Sequence, residues 1–243
     1  MKSPIFLLLI MSIAAGCAEK AENLDNNEVS EHFSDVYFMP DTILYVDEWG
    51  DPVNGEYETE VSESSTEIRM EFEDGQIKEG VFTKNDGTTL MIYEQREGLL
   101  AQISYHENGE KAAEFMMDDE RDIVASSTWY EDGTPHMIFN ADSALTWHEN
   151  GQLSSKVYLT DGEMDGEGKS WHENGELASI SHYKDDEWHG IFKKWDENGN
   201  LIEEKTYDMG MPEGVHKYWD EGGNLIEERA FEDGKPVPMV SEN

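Results

Sequence analysis

The chain has 243 residues, with 55 acidic against 17 basic side chains and a formal net charge of −38. So negative a chain repels phosphate backbones and anionic headgroups, which excludes nucleic acid and electrostatic docking to an acidic membrane as partners. Seven Trp, ten Tyr and nine Phe against an apolar share of 37% argue against plain disorder and for a thin fold that buries rows of rings.

The first element is a targeting segment. Lys2 supplies a positive start, and Pro4 to Ile13 read PIFLLLIMSI. That run is half the roughly 20 residues a spanning helix needs, so it is a signal-peptide core. It ends in Ala14-Ala15-Gly16-Cys17, which places small residues before the single cysteine of the chain. One thiol forms no internal disulfide. Residues 18–37, polar, acidic and without periodicity, are expected to form a flexible tether.

Beyond the tether a 24-residue step dominates. Trp147-His-Glu-Asn-Gly151 recurs at Trp171–Gly175 and, with Asp for His, at Trp195–Gly199; Trp219-Asp-Glu-Gly-Gly223 is the fourth copy. Leu153, Leu177, Leu201 and Leu225 keep the same step, as do Leu159, Tyr183, Tyr207 and Phe231, and Gly166, Gly190 and Gly214. Upstream, Tyr105–Gly109 and Trp129–Gly133 are again 24 apart, the unit from Gly133 to Gly151 is six residues short, and Phe72–Gly75, Asn85–Gly87 and Tyr45–Gly50 read as eroded copies. Clear repeats are assigned to 104–238 and degenerate ones to 38–103.

The punctuation defines each unit. Asn-Gly is the strongest short hairpin signal and predicts a type I′ turn, with both central residues at positive φ. About seven strand residues follow, then a second turn such as Asp208–Gly214, then a return strand ending on Trp. Alternation along Leu201, Glu203, Lys205 and Tyr207 fits a strand wetted on at least one side. The predicted fold is all-β, an elongated antiparallel meander of tandem hairpins, each unable to bury its ring face except against its neighbours.

Chemistry is sparse. His148 and His172 would stand one hairpin apart, about 10 Å, too far to share an ion directly, and read as polar turn residues. Asp161-Gly-Glu-Met-Asp165-Gly166 imitates the start of a calcium loop, but its twelfth position is His172. No nucleophile elbow, zinc-protease, Walker or dinucleotide motif is present, so the chain reads as a non-enzyme without cofactor or metal.

Two resemblances add to this. Residues Ala14 to Cys17 resemble the lipobox of bacterial lipoproteins, which implies lipidation of Cys17; Ala18 in place of Asp implies the outer membrane. The pattern Tyr-x-x-Gly-x-x-x-Gly-x-x-x-x-Trp-x-Glu-Asn-Gly-x-Leu resembles the MORN-repeat variant of YwqK-like antitoxins, strongly from Tyr105 to Phe231. That resemblance implies a hairpin meander with no catalytic residues, structural positions at Trp147, Trp171, Trp195, Trp219, Gly151, Gly175, Gly199, Gly223, Leu177, Leu201, Tyr183 and Tyr207, and a protein partner, in some members a toxin. Eukaryotic relatives are linked to phospholipid, but the basic residues that binding needs are absent here. The expectation is an envelope lipoprotein that binds an extended protein or glycan.

Overall fold

The computed structural model describes residues 37–39, 44–46, 49–61 and 65–239. The signal peptide, Cys17 and nearly all of the tether lie outside them. Within them the fold is all-β and antiparallel, with no helix. Residue contacts divide the chain between Val124 and Ala125 into two compact units.

The first unit opens with a small ribbon, β1 (Tyr37–Met39) with β2 (Leu44–Val46). A meander follows: β3 (Gly55–Val61), β4 (Thr66–Glu73), β5 (Gln76–Lys84), β6 (Thr89–Arg96), β7 (Leu99–Tyr105) and β8 (Lys111–Met117), each paired with the next. β4 shows why: in Thr-Glu-Ile-Arg-Met-Glu-Phe-Glu every second residue is buried and the charged ones face outward. Ile68, Met70 and Phe72 join Val53, Ile77 and Leu100 in one core, with Tyr45, Tyr57, Phe82, Tyr93 and Met117 against it. Burial pushes the Tyr93 phenol up to about 12. Tyr45 N–H donates to the Gly75 carbonyl at 2.8 Å, Gly75 N–H to Val53 at 2.9 Å and Val53 N–H to Tyr45 at 3.0 Å, so three backbone bonds clasp β2 onto the β4–β5 turn.

The second unit begins within β9 (Ile123–Trp129) and continues with β10 (Pro135–Phe139), β11 (Ser143–Trp147), β12 (Leu153–Thr160), β13 (Glu163–Trp171), β14 (Leu177–Lys184), β15 (Glu187–Trp188), β16 (Gly190–Trp195), β17 (Leu201–Asp208), β18 (Met211–Trp219), β19 (Leu225–Glu232) and β20 (Lys235–Val237). The short unit is a clipped hairpin: β10 and β11 are five residues each, joined across Asn140 to Ser143. Burial is shallow. Leu159, Ser126, Thr128, Ser181 and His216 are the buried side chains, and the large rings are half-covered.

Two expectations about turns change. The Asn-Gly turns are not type I′. At His148–Gln152, Gly151 N–H donates to the His148 carbonyl and His148 N–H to the Gln152 carbonyl, both at 2.9 Å. Gly151 has φ 82, while Asn150 is not among the residues with positive φ. This is a type I turn closed by a glycine bulge. Asn150 stays at negative φ because its side chain accepts from Gln152 N–H at 2.9 Å. The type I′ turns stand at the other end of the hairpins, as at Asp161 (φ 53) and Gly162 (φ 83), or Met209 (φ 44) and Gly210 (φ 77).

The second correction follows. The reading of Asp208–Gly214 as one long turn fails, because Asp208 pairs with Met211 and Tyr207 with Pro212. The turn is Met209-Gly210 alone. Gly214 lies inside β18 where the register shifts between Glu204 and Thr206, so this glycine column marks bulges in strands.

Candidate functional site

The glycine-bulge turns start at Lys84, His106, Tyr130, His148, His172, Asp196 and Asp220, and from Tyr130 to Asp196 neighbours are stapled to one another. His148 Nε2 lies 2.9 Å from the Trp171 carbonyl, and His172 Nε2 lies 3.0 Å from the Trp195 carbonyl. Asn150 Nδ2 donates to the Glu173 carbonyl at 2.7 Å, and Asn174 Nδ2 to Glu197 at 2.8 Å. Tyr130 Oη donates to the Trp147 carbonyl at 2.9 Å. The histidines that invite a metal reading are thus held by backbone of the next repeat. At Asp196 and Asp220 the donor is lost: Asp196 accepts from Asn200, and Asp220 from the Asn224 and Gly222 N–H groups. Those bonds, led by the Asn200 side chain at Asp196 and the Asn224 N–H at Asp220, hold both carboxyls below the usual range.

Removing one staple pair tests the ladder. His172→Ala with Asn174→Ala takes away two side-chain bonds to carbonyls, a loss of about 1–3 kcal/mol. Amide exchange should quicken at residues 172–176 and 196–200 before other turns of the second unit. Uniform exchange across those turns would leave the staples without energetic weight.

The Trp and Leu columns meet in register: Trp147 with Leu153, Trp171 with Leu177, Trp195 with Leu201, Trp219 with Leu225. Gly151, Gly175, Gly199 and Gly223 are exposed at the turns. Tyr183 pairs with Gly166, and a Cβ added at Gly168 would meet its ring at 2.8 Å, so the glycine there seats the tyrosine. Tyr207 stands edge-on to Trp188 at 4.8 Å and 5.5 Å from the buried His216 ring. On the same face Lys205 Nζ sits 5.8 Å from the Phe192 ring and 5.2 Å from that of Tyr218, and Arg229 covers Tyr218 at 5.4 Å. Rings, cations and the acids that pair with them share this face, Glu203 with Lys205 at 2.6 Å and Glu227 with Arg229 at 2.6 Å.

The first unit carries a feature that sequence reading missed. Glu56 pairs with Glu71, Glu71 with Glu79, and Glu79 with Glu94, so four carboxylates cross four strands in one row. Adjacent members are about 5 Å apart by strand spacing, and like charges directly opposite are destabilising. Lys78 Nζ donates to Glu71 at 2.7 Å, and Arg96 pairs with Glu94. Among the described residues Glu56 and Glu79 make no ion pair. The row is invisible in the sequence because its members sit 15, 8 and 15 residues apart, spacings that mean nothing until the turns fix the register.

The calcium-like segment is otherwise employed. Asp161-Gly162 is a hairpin turn, and Asp165 pairs with Lys184. Among the described residues no group of three His, Cys, Asp or Glu side chains is placed to hold a metal ion.

No curated protein matches the chain. Among solved structures it is similar to accessory secretory protein 1, 2 and 3 of Streptococcus pneumoniae (18% identity, TM-score 0.23, 38% of this chain and 19% of that one). It is similar also to TarM (10%, 0.24, 52% and 22%) and to TcdB2-TccC3 (9%, 0.17, 77% and 15%). The chain therefore spans between 15% and 22% of the length of these structures. The family model described as the MORN repeat variant matches residues 164–185, 188–209 and 212–235. Those segments frame the hairpins β13–β14, β15–β17 and β18–β19, all downstream of the clipped unit. Residues 164–235 thus carry three consecutive MORN-variant repeats.

Proposed function

We propose that this chain is a non-catalytic binding module of the bacterial cell envelope, tethered through a lipid on Cys17, whose partner is a basic protein. MORN repeats generally serve as binding modules for proteins or membranes, and a net charge of −38 disfavours an acidic bilayer. The observation that carries the basic partner is the row Glu56, Glu71, Glu79 and Glu94, a repulsive arrangement that an incoming cationic surface would relieve. A secreted toxin with a basic surface, neutralised by occlusion, is the special case suggested by the resemblance to YwqK-like antitoxins.

The test is capture from detergent-solubilised envelopes by the tagged full chain, beside Cys17→Ala and a Glu56→Gln/Glu79→Gln/Glu94→Gln variant. A basic protein should co-purify with the parent, elute as salt shortens the Debye length to about 3 Å near 1 M, and be lost from the triple variant. Cys17→Ala should leave the membrane fraction yet keep the partner. Equal capture by the triple variant, or capture of no basic protein by lipidated, folded chain, would overturn the proposal.

A further inference from the structure

The first unit holds one pair of neighbouring glycine-bulge turns, Lys84–Thr88 and His106–Glu110, in the same register as a stapled pair downstream. Met91, seven residues after Lys84, pairs with Ser104, two before His106. Ser155, seven after His148, pairs with Ser170, two before His172. The backbone at the turn ends is therefore equivalent, and the Tyr105 and Glu107 carbonyls correspond to those of Trp171 and Glu173. Downstream, those two accept from His148 Nε2 and Asn150 Nδ2.

In the first unit both donors are replaced. Asp86 stands where Asn150 stands, and its carboxylate has no hydrogen to give; it accepts from its own turn at Thr88 N–H, 2.9 Å. Lys84 stands where His148 stands, and its ammonium lies 3.9 Å from the Glu107 carboxylate at Oε1, with no hydrogen bond to a carbonyl of that turn among the described residues. Where the staple is missing an open cleft of about 420 Å³ lies between the turns, lined by Thr88, Thr89, Ile92, Tyr105, Glu107 and Asn108.

We infer that this cleft binds a guanidinium group, the side chain of an arginine on a protein partner. The requirement set by the downstream repeats is two N–H donors at the carbonyls of residues two apart. A planar guanidinium offers several donors in a fixed fork, whereas an ammonium is a single point. Its charge suits the Glu107 carboxylate at the rim, whose side chain is 96% exposed. Ile92 and Tyr105 offer apolar surface to the methylene stem. This rests on the reading of a basic protein partner and names one side chain by which that partner is held.

The downstream repeats also provide the test. Lys84→His with Asp86→Asn writes the missing staple into the first unit and leaves the net charge unchanged with His neutral, so general attraction of cations is preserved. The probe is arginine amide, titrated into full-length chain labelled with 15N-glycine and 15N-threonine, with lysine amide as the point-charge comparison. Saturable shifts are expected at Gly87, Thr88, Thr89 and Gly109, weaker for lysine amide. In the double variant they should be about tenfold weaker, a loss of about 1.4 kcal/mol of binding. Asp86→Asn alone, which supplies one donor, should fall between and covers misfolding of the double variant. Shifts that do not saturate, that spread over all acidic turns, or that persist unchanged in both variants would overturn the assignment. Capture of a basic protein by the double variant separates the two ideas: retained capture with no arginine-amide site removes the cleft and keeps the partner, while a cleft that binds arginine amide in a chain that captures no basic protein does the reverse.

Discussion

Phe72→Ala is expected to lower the stability of the first unit by about 3–5 kcal/mol, the range for emptying an aromatic site in a core. Phe72 is 4% exposed. Its ring lies 5.0 Å from that of Tyr45 and 5.5 Å, edge-on, from that of Tyr57. Its cross-strand neighbours are Gly55 and Ile77. Gly55 has no side chain to advance into the space, and Tyr45 is tied by backbone bonds to Gly75 and Val53, so the void closes poorly. A stability of roughly 5–15 kcal/mol is usual for a whole domain, so the loss leaves the unit marginal. Urea denaturation followed by far-ultraviolet circular dichroism would measure it, with Phe72→Leu expected to fall between. A loss below about 1 kcal/mol would mean that Tyr45 and Tyr57 collapse inward, contrary to a clasped β2.

What the sequence made legible was whatever repeats at a fixed step. The 24-residue period places Trp171 before a turn and Leu177 after it, and in the structure the two pair across the hairpin. Turn position was legible too, because Asn-Gly leaves few alternatives. Turn type was not. Asn-Gly serves both a type I′ turn and the end of a glycine-bulge turn, and the choice depends on whether His148 or Glu149 closes the hairpin, a matter of one residue in register. The sites that bear on function depend on register still more. His148 contacts a carbonyl 23 residues on, and Glu71 and Glu79 become neighbours only through the type I′ turn at Asp74-Gly75 together with the bulge that shifts the register between Phe72 and Glu71. No local pattern marks either. The Lys84 and Asp86 substitutions were legible as erosion of a repeat, but their consequence emerges only beside the intact staple at His148 and Asn150.

In the second unit the counterpart of Phe72 is Leu159, and Leu159→Ala is expected to cost about 2–5 kcal/mol. Leu159 begins the column that continues as Tyr183, Tyr207 and Phe231, yet it alone of the four is fully buried, at 6% exposure. Its N–H donates to the Asp142 carbonyl at 2.9 Å and it pairs with Met164, so the clipped hairpin and the first MORN-variant repeat both lean on it. Stability in such arrays is a sum of repeats and nearest-neighbour interfaces. The loss should therefore be graded: amide protection should fall most in β11 to β14, less in β16 and β17, and least in β18 and β19. Hydrogen exchange read strand by strand gives that profile. A drop of equal size in every strand from β11 to β19 would show that the second unit unfolds as one cooperative block, with the shallow ring face coupling all its hairpins, and would set aside the additive description of the array.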